Sequence, residues 1–233
     1  MAARGHLKRK VLRGLALQWA LKQGFRVAAT DVALPSLKTR ADVAACKPEA
    51  PKRVRGTVVL RAGATLLIEC FHGSPRTGHE LPQEDILARL AELEQQRAAH
   101  EDAMRRSFPT LREGETLFPE FDVYRFQDAG SAAYAAVMKE IDALSMQIHH
   151  GTKLEKLSRW PAANLRYLAA ESGVIQCSEV PAGWGLLERH GAELVPAVKA
   201  VWRDAAEMNR WTLMMRIAMR ATQSAAEFGS YMI

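Results

Sequence analysis

The sequence predicts a mixed α/β fold: a central mixed sheet flanked by helices, with a helical insertion over about 83–160 and a C-terminal helix. Three observations predict it. Helical stretches and short β-rich runs both occur, with periods near four and near two. The run Thr65-Leu66-Leu67-Ile68 is continuously apolar, as in a central strand buried on both faces. The order helix, three strands, helices, strand, strand, helix lacks the strict alternation of a doubly wound sheet or a TIM barrel. At 233 residues the chain is long enough to bury a sizeable core. The expected organisation is an α/β domain over 1–196 and a helical extension over 197–233.

Leu7 to Gln23 reads as an amphipathic helix, with Leu7, Val11, Leu15 and Trp19 stepping by four beside Leu12. Lys8, Arg9, Lys10 and Arg13 fall on its other side, and Gly24 suits the C-cap. Phe25–Leu34 and Arg40–Cys46 read as strands. Lys47–Gly56, with two prolines and four bases, reads as a solvated loop. Thr57–Leu60 and Thr65–Phe71 are strand-like, and His72–Pro82 is loop. Gln83–Arg106 is a polar helix, expected as an exposed arm or a coiled-coil contact. Ser107–Gly130 has no clear period, and Ser131–His150 is helical. Asn164–Ala169 reads as a buried strand. Pro181-Ala182-Gly183 forms a turn before the strand Trp184–Glu188. Ala197 to about Glu227 reads mostly as helix, with Trp202 and Trp211 joining Val198, Ala205, Met208 and Met215 in one stripe.

Composition excludes several classes. With 48% hydrophobic and 25% charged residues the chain is neither disordered nor fibrous. No stretch approaches the ~18 apolar residues of a membrane span. Cys46, Cys70 and Cys177 are too few and too scattered for a disulfide framework, which favours a reducing, cytoplasmic setting. The basic N-terminus lacks the unbroken apolar run of a secretory signal and reads as the first helix of the fold. Net charge is +6, unevenly spread: +11 over 1–61, −7 over 62–150 and +2 over 151–233. A basic first quarter makes nucleic acid the first partner to expect, with Arg40, Lys52, Arg53 and Arg55 as candidate phosphate contacts. No aromatic residue interleaves these bases, so base stacking is not expected there.

Two acids stand out. Asp42 lies in a short strand, and Glu69 ends the apolar run Leu66-Leu67-Ile68. If these strands pair antiparallel, both carboxylates can reach one side. A carboxylate at the end of a buried strand is costly without water, a cation or a metal. Two together suit Mg²⁺ or Mn²⁺, which would activate water against a phosphodiester. The competing reading is an ordinary pair salt-bridged to Arg40 or Lys38. The histidines and cysteines carry no zinc-ligand spacing.

This order, with Asp42 followed by Leu-Leu-Ile-Glu69-Cys-Phe71, resembles the Asp…Glu-X-Lys core of the PD-(D/E)XK nuclease superfamily, in its bacterial DNA-repair-associated form. The segments Gly114–Phe121, Leu157–Leu168 and Val180–Glu188 are similar too. The resemblance implies a restriction-endonuclease-like core, a metal-dependent DNA endonuclease activity, and Asp42 and Glu69 as catalytic and metal-binding residues. The sequence departs from that pattern at the lysine, where it has Phe71, and it has no match for the acid that many members carry on the first helix. Either a basic group from elsewhere replaces the lysine, with Lys153, Lys156 and Arg76 as candidates, or catalysis has been lost and the fold binds DNA or a repair partner, or scaffolds. The second is simpler, because losing a charge is simpler than relocating one. The alternative from another class is a structural or interaction protein, in which the C-terminal Met/Trp helix meets a partner or a second copy.

Overall fold

The computed structural model describes residues 2–34, 39–49, 52–54, 57–59, 61–73, 84–113, 123–149 and 152–230. The elements are α1 (Ala2–Lys22), β1 (Val27–Leu34), β2 (Thr39–Pro48), β3 (Lys52–Val54), β4 (Thr57–Val59), β5 (Ala62–Cys70), α2 (Glu84–Ser107), β6 (Arg112–Glu113), β7 (Val123–Tyr124), α3 (Ala132–Ile148), α4 (Lys153–Arg159), β8 (Leu165–Glu171), β9 (Gly185–His190), β10 (Glu193–Val198) and α5 (Glu207–Ser230). Six strands form one mixed sheet in the order β1-β2-β5-β8-β9-β10. β1 pairs antiparallel with β2 and β2 with β5, β8 runs parallel to β5 and β9 parallel to β8, and β10 returns antiparallel to β9.

The apolar run sits where its composition demands. Every residue of β5 is buried, between β2 and β8. Its alternate side chains feed two layers. Leu67 joins Leu168, Leu186, Leu154 and Leu157 on one face, where Leu213 and Ile217 of α5 complete the packing. Leu66 and Ile68 join Tyr167 and Leu187 on the other, covered by Leu12, Ala16 and Trp19 of α1. A third cluster joins α2 to α3 through Leu90, Leu93 and Met104 against Tyr134, Val137 and Ile141. Each large side chain buried this way contributes roughly 1.5–3 kcal/mol of transfer free energy.

Several expectations are corrected. The buried stripe of α1 runs through Leu12, Ala16, Trp19 and Ala20, and Val11 is 40% exposed. α2 is no free arm, since its sparse apolar residues pack on α3. The basic segment expected as loop contributes β3, which pairs with β4. Residues 197–206 are not helical. Val201 N–H donates to Gly183 O and Arg203 N–H to Asn164 O, holding this stretch to the sheet until α5 begins at Glu207. Trp202 therefore packs with the α1 layer, away from the α5 stripe. β10 and α4 were not anticipated. α5 packs on β1, β2 and β5, so the expected extension forms part of the central sandwich.

The segment Pro181–Gly185 is structural. Gly183 has φ +74°, a backbone favourable to glycine. Trp184 is buried and donates from Nε1 to Ser158 Oγ at 2.9 Å. A Cβ on Gly185 would lie 2.2 Å from Tyr167 Cε1 and 2.7 Å from the Ala200 nitrogen. Backbone on one side and a core ring on the other leave it no room. Gly185→Ala is expected to cost about 3 kcal/mol, lowering Tm by roughly 6–12 °C in a thermal melt. An unchanged Tm would mean the packing around Tyr167 is loose.

Candidate functional site

The two carboxylates singled out in the sequence come together. The β2–β5 ladder runs from Pro48↔Ala62 to Val43↔Ile68 and stops there. The β1–β2 ladder passes from Thr30↔Val43 to Val32↔Ala41, leaving Asp31 and Asp42 at the break. Asp31 adopts φ +56° at this kink, held by Arg40, whose Nε donates to its Oδ1 and Nη2 to its carbonyl. Where the backbone ladder ends, side chains continue it. Cys70 N–H donates to Asp42 Oδ2 at 2.9 Å, and Asp42 N–H donates to Glu69 Oε1 at 3.3 Å. The two acids thereby satisfy buried backbone donors that would otherwise be orphaned.

Three cations surround them. Arg9 donates to Asp42 Oδ2 from Nε at 3.3 Å and from Nη2 at 2.8 Å. Arg13 donates to Asp42 Oδ1 from Nε at 2.5 Å and also pairs through Nη2. Lys153, the first residue of α4, places Nζ 2.5 Å from Glu69 Oε2. Of the three candidates for the missing lysine, Lys153 meets the site. Lys156 is exposed on α4, and Arg76 lies outside the described residues. Phe71 packs on the same apolar layer as Leu154 and Leu157, on the helix that carries Lys153.

Burial sets the electrostatics. The carboxylate side chains are 1% exposed, whereas Arg9, Arg13 and Lys153 are 39%, 29% and 31% exposed. Burial pushes against ionisation of Asp42, but the Arg9 hydrogen bonds, the Cys70 N–H and the nearby positive charges outweigh it and hold Asp42 below the ordinary carboxylate range. For Glu69 burial wins. Its pKa rises to about 7, with the charge of Asp42 adding to the rise and Lys153 only partly offsetting it. Burial and the two neighbouring carboxylates also push the Cys70 thiol well up, leaving it an unreactive neutral group.

The residues present do not fit the expected Mg²⁺ or Mn²⁺. A hard cation needs oxygen ligands with free lone pairs. The oxygens of Asp42 already accept from two guanidiniums and a backbone amide, and Glu69 accepts from an amide and an ammonium. Three positive charges face two negative ones, so a dication would enter a site already in positive excess. Among the described residues no group of three or more His, Cys, Asp or Glu side chains is placed to hold a metal ion. The carboxylates are also sealed from solvent, whereas the nuclease reading required an open cleft.

The expected nucleic-acid contacts are spread differently. Arg40 is tied to Asp31 at the kink. Lys52 and Arg53 lie on β3, their side chains outside what is described, and Arg55 lies outside the described residues. Arg40 pairs with Asp31 rather than with Asp42, and Lys38 lies outside the described residues. Arg9 and Arg13 were missed. They had been assigned to the solvated side of the first helix, yet they are one turn apart and border the buried Leu12 and Ala16. That i, i+4 spacing beside the apolar stripe was the available signal.

No family model matches the chain, and no curated relative matches it. Among solved structures it is similar to SPO1766, a protein of unknown function from Silicibacter pomeroyi. That similarity has 12% sequence identity and a TM-score of 0.41, covering 91% of this chain and 84% of the other. Similarity at this level carries no argument about activity. Among the described residues no helix is long and apolar enough to cross a membrane.

Proposed function

We propose that this chain is a nucleic-acid-binding protein of DNA metabolism, built on a PD-(D/E)XK nuclease-like plan, that binds DNA without cutting it. The observation that carries this reading is the ring of Arg9, Arg13 and Lys153 around the adjoining carboxylates of Asp42 and Glu69. The strand ends supply the acid pair of the nuclease pattern, and α4 supplies a lysine beside it. The two arginines then occupy the oxygens a catalytic metal would need. The N-terminal excess of basic residues gives the affinity.

The test is incubation of plasmid, linear and single-stranded DNA with the protein and Mg²⁺ or Mn²⁺, beside Asp42→Ala and Glu69→Ala. Binding without cleavage above background is expected from all three proteins. Metal-dependent nicking by the wild type that disappears in Asp42→Ala would overturn the non-cutting reading.

A second reading rests on α5, whose Met208, Met215 and Met219 are 75%, 53% and 51% exposed along a helix otherwise packed on the sheet. Such a face suits a protein partner. If the protein binds no DNA even at low salt, this surface becomes the better account.

A further inference from the structure

We propose that Arg9, Arg13 and Lys153 form a metal-independent seat for a backbone phosphate of nucleic acid, with Asp42 and Glu69 acting as buried struts that hold the three cations together. This rests on the DNA-binding reading and names the contact that reading leaves open. Three cations on two separate helices repel one another unless anions lie between them. Asp42 answers for the two on α1, and Glu69 for the one on α4. The two struts are joined by the Asp42 N–H to Glu69 Oε1 bond, so the cations converge on one place.

The cations also retain donors. Each arginine spends Nε and Nη2 on Asp42, leaving its other terminal amino group without an acceptor among the described residues, and Lys153 spends one of three N–H bonds on Glu69. Among the described residues none of the three meets another acceptor. Their side chains are about a third exposed, whereas the carboxylates are not. Among the five groups, the exposed surface therefore belongs to the three cations. With both acids ionised the cluster carries one excess positive charge. A phosphodiester brings one negative charge and two acceptor oxygens, matching the fork geometry of guanidinium. A divalent cation would worsen the same balance.

The two acids make the proposal testable, because a metal site and a phosphate seat predict opposite signs. In a metal site Glu69 is a ligand, and losing its charge weakens metal-assisted binding. In a phosphate seat Glu69 positions Lys153 but offsets its charge, so Glu69→Gln keeps an amide oxygen to hold the ammonium while removing the opposing charge. Fluorescence anisotropy with a short duplex lacking terminal phosphates, in EDTA at pH about 8, measures this. Glu69→Gln is expected to bind roughly three- to tenfold more tightly than wild type. Lys153→Met is expected to bind roughly three- to tenfold more weakly, with its salt slope reduced by about 1. Added Mg²⁺ should weaken wild-type binding as ordinary salt does. Inorganic phosphate at equal ionic strength should compete no better than chloride, since a lone phosphate lacks the further contacts a strand makes with the basic N-terminal quarter. If wild type binds duplex but Glu69→Gln binds no more tightly, or binding requires Mg²⁺, the phosphate seat is wrong while the DNA-binding reading stands. If phosphate alone displaces the duplex, the ligand is a free anion and the backbone assignment fails. If wild type binds no duplex at any salt, the underlying reading fails and takes this inference with it.

Discussion

Asp42→Ala is expected to destabilise the protein by roughly 2–4 kcal/mol. The carboxylate is buried and accepts from both guanidiniums of α1 and from the Cys70 amide. Its removal leaves two like charges side by side and a buried N–H without an acceptor. The cost sits below the upper end for buried ion pairs because the arginine tips are 39% and 29% exposed and can rehydrate. For a chain of this length it corresponds to a Tm drop of roughly 5–15 °C by calorimetry. Asp42→Asn should lose less, since its amide oxygen can still accept from Cys70. Glu193→Ala, which breaks the exposed Lys22–Glu193 pair, should move Tm by no more than about 2 °C. If Asp42→Ala and Glu193→Ala melt alike, the Arg9–Asp42–Arg13 bridge is not what anchors α1 to the end of β2.

That contrast also explains which parts of the site could be read from sequence. Glu69 announced itself because a carboxylate closing an apolar strand violates the burial pattern around it. Asp42 followed because an antiparallel partner strand had to bring some residue opposite. Lys153 could be named only as one of three bases, since 84 residues separate it from Glu69 and the sequence does not reveal the return of α4 to the sheet. Arg9 and Arg13 looked like every other solvated helix charge; only the break in the β1–β2 ladder at Asp31 makes room for a carboxylate to meet them. The same logic governs the fold. β5 was legible because both its faces are buried. β10 was not, because only Leu194 of its six residues is buried and Pro196 interrupts the pattern. The helical reading of 197–206 failed because long-range backbone bonds to Gly183 and Asn164 outweigh local propensity.

The stability of this protein should fall as pH rises from about 4.5 to about 7, and Glu69→Gln should remove the part of that fall that Glu69 contributes, leaving the parts due to Glu94 and Glu101, which burial also raises. Glu69 titrates near 4.5 in the unfolded chain and at about 7 in the fold, chiefly because burial penalises its charge. Between those values the folded state keeps a proton that the unfolded state has released. Unfolding therefore becomes more favourable with each unit of rising pH and levels off above 7. Asp42 acts in the opposite direction and in another window. Its pKa lies below the ordinary 3.8, so its contribution is complete above that value and is lost as pH falls through the folded one. The two windows do not overlap, which lets a single variant isolate Glu69. Chemical denaturation of wild type and Glu69→Gln at both ends of the window supplies the comparison, and any fixed cost of the amide cancels between pH values. Wild type should lose of order 2–3 kcal/mol relative to the variant between pH about 4.5 and about 8. A constant difference would mean that Lys153 neutralises Glu69 fully at both ends, and burial would no longer be the dominant force on the acid at the centre of the site.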